Sequence, residues 1–214
     1  PDDLTPMAAV AGAVADEVMA RIFELSGGVI TKVLVNNGGD MSLYSPFQEV
    51  RVEIRGISRE DGRPFILPLQ KRKGPYGLAT SGWRGRSVSR GIADAVVVVA
   101  SESAVADAAA THIGNAVADK EITCIRRKKA VELDPASDIP DVEVTIACGK
   151  LTEVEVEKVI TNGMKIAGEI IEKEFIEEVG IYLQGRRAFD RAEKMQPIHE
   201  QEVQNGNSQD GYYR

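Results

Sequence analysis

The amino-acid sequence predicts an α+β protein in which a few helices pack against consecutive, mostly antiparallel strands. Two alanine-rich stretches, near residues 5–25 and 103–118, carry apolar residues at helical spacing. Between and after them lie short apolar segments that are rich in β-branched residues, and some of these alternate with charged residues. The first pattern is typical of amphipathic helices and the second of half-exposed strands.

The first helix is predicted to begin at Thr5-Pro6, with Thr5 as the N-cap and Pro6 at the first helical position. The pair Gly27-Gly28 is expected to end it. Its buried face is indicated by apolar residues that recur three or four positions apart, namely Met7, Val10, Ala11, Val14, Val18 and Ile22.

The segments that follow are predicted to be strands. Residues 95–100 contain no polar side chain, which is typical of a strand buried on both faces. Asp61-Gly62 is predicted to form a hairpin turn. The strands are expected at residues 29–35, 50–54, 65–67, 76–80 and 95–100.

The second half of the chain is predicted to add a helix at 103–118 and a surface loop at 134–141, where acidic residues and two prolines occur together. The end of the chain is polar and has little to bury, so it is expected to be flexible. A strand, a long helical segment, a short final strand and this tail are expected at 142–147, 151–187, 181–183 and 196–214.

Composition excludes several classes of protein. The net charge is −7, with 26 Lys and Arg against 33 Asp and Glu and no long basic run, so nucleic acid is not an expected partner. Apolar runs are too short to span a membrane, so no membrane partner is expected either. Cys124 and Cys148 are expected to be reduced thiols of a cytoplasmic protein, and too few cysteines and histidines occur to suggest a zinc site.

The first candidate ligand segment is Gly38-Gly39-Asp40, which follows an apolar strand. Paired glycines allow a backbone to approach a ligand closely, and an aspartate offers hydrogen-bond acceptors. The alternative is a plain turn at the end of a strand.

The second candidate segment, residues 79–91, combines hydroxyls, glycines and arginines. Backbone N–H groups and hydroxyls donate to a phosphate, and a guanidinium supplies a planar fork of donors. A flexible, solvated loop is the alternative. Trp83 is expected either to stack on a flat ring or to anchor the loop in the core.

The third candidate segment is residues 106–111, in which Asp107 and Thr111 stand four positions apart on one helix face. A carboxylate and a hydroxyl one turn away provide two oxygen ligands for a hard cation such as Mg²⁺, with phosphates completing its shell. The alternative is that both side chains are simply solvated.

In this order the segments resemble the ApbE superfamily, which contains the FAD:protein FMN transferases. That superfamily has a helix with a GIAKGxAxD-like stretch, a strand ending in GGD, a TSG segment and a helix reading ADAxAT. The corresponding residues here are 10–16, 38–40, 80–82 and 106–111. The resemblance spans roughly residues 4–117 and is strongest to a branch that includes 6-hydroxynicotinate reductase-type proteins, through NNGGD, TSGWxGRSxSxGIAD and ADAAATxxxNAV.

The resemblance implies a site for Mg²⁺ and for FAD or FMN. It assigns the metal to Asp107, Thr111 and a backbone carbonyl near Val10. The flavin nucleotide pocket falls on Gly38, Gly39, Asp40, Thr80 and Ser81. A further group suited to an anionic part of the ligand consists of Arg84, Arg86, Ser87 and Ser89.

Two departures from the superfamily pattern bear on activity. Ala11 stands where the AKG stretch has lysine, and the HIxDP segment is replaced by an Arg- and Ser-rich loop without histidine. These changes favour an altered substrate or a binding role. The favoured function is therefore binding of a flavin or related nucleotide with Mg²⁺, as the flavin-site domain of a reductase of the 6-hydroxynicotinate reductase type. The alternatives are an FAD-processing FMN transferase or pyrophosphatase, and a degenerate structural or assembly subunit.

The resemblance also implies the domain organisation. Residues 1–147 are expected to form the nucleotide- and metal-binding region of a T-fold-like domain, completed by a helical segment at 148–195 and followed by the tail at 196–214. Because the chain begins with Pro1, the front part of the fold is expected to precede it. Small-residue helices and the long C-terminal segment indicate a homo-oligomer or a place in a larger enzyme complex.

Overall fold

A computed structural model describes residues 4–28, 30–58 and 64–191 of the chain. The fold is α+β, as predicted, and every strand pairing described is antiparallel. Single 3₁₀ turns cover Pro6–Ala9 and Ala130–Glu132. The helices and strands, in chain order, are α1 Val10–Leu25, β1 Val33–Asn37, β2 Asp40–Ser45, β3 Val50–Ser58, β4 Pro64–Leu69, β5 Arg72–Ser81, β6 Ala95–Ala100, α2 Ser103–Ala116, β7 Ile125–Lys129, β8 Glu143–Cys148, α3 Glu153–Glu172, β9 Glu178–Leu183 and β10 Arg186–Arg191.

A six-stranded sheet in the order β1-β2-β5-β6-β9-β10 forms the centre of the fold. The hairpins β3-β4 and β7-β8 form two further two-stranded sheets. Helix α1 packs on β1, β2 and α2, whereas α3 packs on α2, β9 and β10. Helices therefore cover one face of the large sheet, as antiparallel sheets of this class require.

Strand β6 shows why the two faces carry separate cores. Its six residues, AVVVVA, are all buried. Val96 and Val98 belong to the hydrophobic cluster that includes α2 and α3, whereas Val97 and Val99 belong to the cluster that includes β3 and β4. Because successive side chains point to opposite faces, one strand serves both cores. The prediction of a fully buried strand at 95–100 is confirmed.

Most other element predictions are close to the structure, but the buried face predicted for the first helix is wrong. Val10, Val14 and Val18 are exposed, and the buried residues of α1 are Gly12, Ala15 and Met19. Helix α2 ends two residues before the predicted limit of residue 118, and the strands predicted at 50–54, 65–67, 76–80 and 142–147 are present. The segment 134–141 contains no helix or strand, in agreement with a surface loop. The Asp61-Gly62 turn and the tail at 196–214 lie outside the described residues.

The prediction of a helical segment over 151–187 is wrong in its second half. Helix α3 ends at Glu172, and β9 and β10 follow. Residues 178–183, EVGIYL, are rich in β-branched and aromatic side chains, which favour a strand, and β9 pairs with β6 in the large sheet. Gln184 and Gly185 have φ values of 45° and 84° and form the two-residue turn of the β9-β10 hairpin. The predicted strand at 181–183 is the end of β9.

The start of the chain also differs from the prediction. A 3₁₀ turn precedes α1, and the Thr5 side chain donates to Asp138 instead of capping a helix. Strand β1 is half-buried and lies at the edge of the sheet among the described residues. It begins at Val33 and ends at Asn37, whereas the prediction placed this strand at residues 29–35.

Candidate functional site

Asp107 lies on α2 at the contact with α1. Its Oδ2 accepts a hydrogen bond from the Gly12 backbone N–H at 3.0 Å. Burial raises the pKa of this carboxyl above its ordinary value, and backbone hydrogen bonds with Gly12 and Ala11 oppose the rise. The contact lies beside the first turn of a helix, whose N–H groups favour negative charge.

Helix α1 approaches α2 closely because Gly12 has no side chain. A β-carbon at Gly12 would collide with the Ser103 backbone carbonyl at the start of α2. One turn further along α1, the two carboxylate oxygens of Asp16 accept from the Ser103 and Ala104 N–H groups at 3.1 and 2.9 Å. Asp16 therefore caps α2 from a neighbouring helix and fixes the position of Asp107.

Asp40 is the second carboxylate at this place. The pKa of Asp40 is raised to about 7, first by burial and second by the negative charge of Asp107. A hydrogen bond with the Thr80 backbone and the charge of Arg86 oppose this rise. Two partly buried carboxylates, one of which raises the pKa of the other by its negative charge, create a position that attracts a cation.

A glycine hairpin turn places Asp40 there. Gly38 and Gly39 have φ values of 79° and 121°, which favour glycine, and they join β1 directly to β2. Asn37 Nδ2 donates to the Ala11 carbonyl oxygen at 3.1 Å and thereby fixes the turn against α1. This role of Asn37 was not predicted from the sequence, although the Asn-Gly-Gly-Asp pattern indicates the hairpin turn.

Arg86 lies over the glycine turn. Its Nη2 is 2.8 Å from the position that a β-carbon on Gly38 would occupy. The same guanidinium lowers the pKa of Asp40 by its positive charge. The site therefore combines two carboxylates, an exposed guanidinium and a glycine backbone free of side chains.

The remaining residues assigned from the resemblance lie around this centre. Thr111 is partly buried on α2, one turn after Asp107, and Val10 is the first residue of α1. Ser81 Oγ faces α2, 3.4 Å from the position of a β-carbon on Gly114. Thr80 is paired with Val97, so its side chain lies on the opposite face of the sheet, and only its backbone contacts Asp40.

The arginines and serines that the sequence groups together lie in the loop between β5 and β6, where they have different surroundings. Arg84 lies 3.6 Å from Asp94 and 4.8 Å over the Trp83 ring, whereas the Arg86 guanidinium lies at Gly38. Ser87 is exposed, and buried Ser89 accepts from the Gly91 N–H at 3.2 Å.

The loop is also anchored to its surroundings. The Ser89 carbonyl accepts from the Thr145 N–H at 2.8 Å, and the Arg90 N–H donates to Asn115 Oδ1 at 3.1 Å. Trp83 packs partly buried against the helix-side core. The loop is thus held by defined hydrogen bonds, and Arg86, Ser87 and Arg90 are its exposed polar side chains besides Arg84.

The part of the chain that the structure describes contains no cluster of three or more Asp, Glu, His or Cys side chains suited to a metal ion. A cation at Asp40 and Asp107 would therefore need hydroxyl, backbone carbonyl, water or ligand oxygens, which is the usual manner of Mg²⁺ binding. Within the same described residues, no helix is long and apolar enough to cross a membrane.

Comparisons with known proteins identify the family. A model of the family described as AbpE bacteria matches residues 2–189. A UPF0280 protein of Methanococcus maripaludis strain C7 is 34% identical over 148 residues, covering 68% of this chain and 57% of the relative. A UPF0280 protein of strain S2 of the same species is 30% identical over 177 residues, or 79% of this chain and 68% of the relative. One from Methanocaldococcus jannaschii is 41% identical over 113 residues, or 52% of this chain and 44% of the relative.

The matches to these three relatives thus cover 44% to 68% of the relatives' own length. The family model covers nearly all of the residues that the structure describes, including the site and both of its helices. The chain therefore belongs to the AbpE bacteria family and is an ApbE-related protein.

Proposed function

We propose that this protein binds a flavin nucleotide, FAD or FMN, together with Mg²⁺ at the contact of α1, α2 and the β1-β2 turn. The observation that supports the proposal is the convergence of Asp40, Asp107 and Arg86 beside a glycine turn. Paired carboxylates suit a hard cation, and a guanidinium suits a phosphate.

The donor set fits this cation. Asp107, the Thr111 hydroxyl and a backbone carbonyl near Val10 would hold Mg²⁺, with phosphate oxygens of the nucleotide as further ligands. Bound there, Mg²⁺ would neutralise and orient a pyrophosphate. The Asp40 carboxylate would add negative charge next to the ion.

The chain's own residues would bind the rest of the nucleotide. Gly38 and Gly39 leave their backbone open to close approach, and Arg86 and Ser87 would contact the phosphates. Ser81 lies on the same side of the sheet as α2. The absence of a lysine at Ala11 and of a histidine in the 83–91 loop favours binding over transfer of FMN to a protein.

We further propose that this site is the flavin-site domain of a reductase of the 6-hydroxynicotinate reductase type, acting in the cytoplasm. A homo-oligomer or a larger enzyme complex would supply the electron donor, because the chain has no cysteine spacing for an iron–sulfur cluster.

Calorimetric titration of FAD and FMN, with and without Mg²⁺, tests the metal-dependent binding. Wild type is compared with Asp107→Asn, which keeps an oxygen acceptor for the Gly12 N–H but removes the charge. We expect binding that requires Mg²⁺ and that weakens more than about tenfold in the variant. Asp141→Asn, at a carboxylate whose side chain is 85% exposed, is the matched control and should bind as wild type does.

Equal flavin affinity with and without Mg²⁺, or in Asp107→Asn and wild type, would refute the metal site. Failure of both flavins to bind would refute the flavin assignment itself.

The two arginines of the loop provide an internal comparison. Arg86→Ala should weaken nucleotide binding, because Arg86 lies at the acidic pair, whereas Arg84→Ala should leave it unchanged, because Arg84 pairs with Asp94. If both variants weaken binding equally, the ligand occupies the loop as a whole and the separation of the two arginines has no role in binding.

A further inference from the structure

Helix α1 exposes a row of apolar side chains on the side that faces away from α2. Gly12 and Asp16 contact the start of α2. Since successive residues of a helix are turned by about 100°, Val10, Val14 and Val18 lie on the opposite side. The α1 row consists of residues that are 41% to 87% exposed, together with partly buried Ile22: Met7, Val10, Val14, Val18, Ile22 and Leu25. A continuous exposed apolar surface of this kind is typical of an interaction site.

Strand β1 lies beside the α1 row and is an outer strand of the large sheet in the described part of the chain. Its sequence, VLVNN, has no charged side chain and no proline, and it pairs with β2 without a bulge. Natural edge strands are usually protected from pairing by charges, prolines or bulges. The other outer strand, β10, has that protection, since four residues of its sequence RRAFDR are charged. The edge of β1 is therefore the one suited to pairing with a further strand.

The open edge of β1 presents the backbone groups of Leu34 and Asn36. Asn37 flanks the two-residue turn to β2, and a pair that flanks such a turn is hydrogen-bonded. Because bonded pairs alternate along an antiparallel ladder, Asn37 and Val35 bond to β2, and the N–H and C=O groups of Leu34 and Asn36 point outward. A second β1, antiparallel and centred on Val35, would pair Leu34 of each chain with Asn36 of the other and satisfy all of these groups.

The α1 row is self-complementary about position 16. Its members form three pairs that are equidistant from this position: Met7 with Leu25, Val10 with Ile22, and Val14 with Val18. A two-fold axis at that level would place an apolar side chain of one chain opposite an apolar side chain of the other in all three pairs. An interface between identical chains that are related by a two-fold axis requires this kind of symmetry.

One two-fold axis serves both the strand and the helix. Asn37 contacts Ala11, and α1 runs antiparallel to β1, because Phe23 near its end contacts Tyr44 beside the start of β1. Val35 lies two residues before Asn37, about 7 Å along the strand, which corresponds to about four to five residues of α1 and reaches the level of position 16. Since α1 packs over both β1 and β2, two copies of α1 would lie about 10 Å apart, close to the usual distance between packed helices.

We propose that the edge of β1 and the α1 row form a homodimer interface with a second copy of this chain, around a two-fold axis at Val35. The pairing joins two six-stranded sheets into one continuous sheet and places the two copies of α1 side by side on one face. Val14 of each chain packs against Val18 of the other. The interface uses neither Asp40 nor Asp107, so it is independent of nucleotide binding.

Sedimentation velocity of the full chain over a range of concentrations tests the dimer. We expect the mass of wild type to rise from that of one chain to that of two. Val14→Lys and Val18→Glu should each weaken dimerisation at least about tenfold, because each places a charge against an apolar side chain of the other chain. An equimolar mixture of the two variants should dimerise again, because the charges introduced at positions 14 and 18 of different chains then face each other.

Val154→Lys is the matched control, at a valine on α3 that is 75% exposed, and should dimerise as wild type does. Urea unfolding checks that the variants are folded, which is expected because Val14 and Val18 are exposed in the single chain. A wild type that is monomeric at every concentration, or a dimer that neither substitution weakens, would overturn the proposal. A mixture that associates no better than the separate variants would show that the two-fold arrangement is wrong.

Hydrogen exchange of β1 gives a second readout. Its protection should rise with protein concentration, although it stays below that of β6, because dissociation of the dimer suffices to expose β1. Strong protection of β1 in a monomer would mean that another part of the same polypeptide covers this edge, and the proposed dimer would then be wrong.

Discussion

The unusual residue of the site is Asp40, whose carboxyl is partly buried beside a second carboxyl. Its pKa is raised from the ordinary 3.8 to about 7, so the native state holds this proton more tightly than the unfolded chain does. The contribution of Asp40 to stability is therefore fully present below about pH 4 and is lost as pH rises towards 7.

Asp40→Asn should remove this pH dependence. Relative to wild type, the variant should gain on the order of 2 kcal/mol of unfolding free energy between pH 4 and 7, after allowance for solvent screening of a partly exposed group. Urea unfolding at several pH values measures the difference. An identical pH profile in the two proteins would show that Asp40 has an ordinary proton affinity, and Asp141→Asn serves as the exposed control.

Asp16 is a structural residue on the same helix face as the site. Asp16→Ala removes two hydrogen bonds to the N-terminus of α2 and should lower the free energy of unfolding by about 1–2 kcal/mol. Glu17→Ala, which removes an exposed ion pair with Arg21, should change it by less than about 1 kcal/mol. Denaturant titration measures the unfolding free energy of both variants. Equal losses in Asp16→Ala and Glu17→Ala would mean that the Asp16 cap does not contribute to stability.

At this scale the resemblance pointed to Asp40 and Asp107, and the composition of the 79–91 loop pointed to Arg86; the structure brings the three together. It did not reveal what Asp16 and Asn37 do. Their partners lie 87 and 26 residues away, and hydrogen bonds over such separations leave no spacing pattern in the sequence. Thr80, by contrast, was chosen by motif although its side chain lies on the other face of the sheet.

Among the elements, the contact of α1 with α2 controls the site most directly. Gly12→Ala would drive a methyl group into the Ser103 backbone and should destabilise the protein by about 1–3 kcal/mol. Gly168 lies within α3, and no other atom lies within 4 Å of the position that a β-carbon would occupy there. Gly168→Ala should therefore stabilise the protein by up to about 1 kcal/mol through helix propensity. Thermal or urea unfolding of the two variants should show changes in unfolding free energy of opposite sign. Changes of the same sign would contradict the close approach of α1 to α2.

Elements with a strong local pattern were predicted well from the sequence. The prediction of β6 agrees with the structure because six consecutive apolar residues fit a strand buried on both faces. The prediction of α2 agrees because its buried positions repeat at helical spacing. β9 and β10 were misassigned because they directly follow a long helix, and Gln184-Gly185 was not taken as a turn. Local composition marks an element's type more clearly than its ends.

For the whole molecule, the strand order predicts an uneven distribution of local stability. β6 is paired on both sides and fully buried, whereas β1 and β10 are the outer strands of the sheet in the described part of the chain. Amide hydrogens of β6 should exchange slowest, close to the global unfolding rate, and those of β1 and β10 faster. Hydrogen exchange measured by mass spectrometry tests this. Protection of β10 equal to that of β6 would indicate that a partner covers its outer edge.

The strand order itself could not be predicted. β9 pairs with β6 across a separation of about 80 residues, and the apolar patterns of these strands identify their buried faces but not their neighbours. The α+β class, by contrast, followed from the residue patterns alone.

The loop of residues 83–93 begins and ends at one point, because the Trp83 N–H donates to the Ala93 carbonyl at 3.1 Å. Such a closed loop can be exchanged between homologues without altering the spacing of the strands that flank it. Arg86 would travel with the exchanged segment, whereas Asp40 and Asp107 would stay with the recipient scaffold. Ligand preference could therefore diverge within this family by replacement of one surface segment while the two carboxylates of the proposed cation site stay constant.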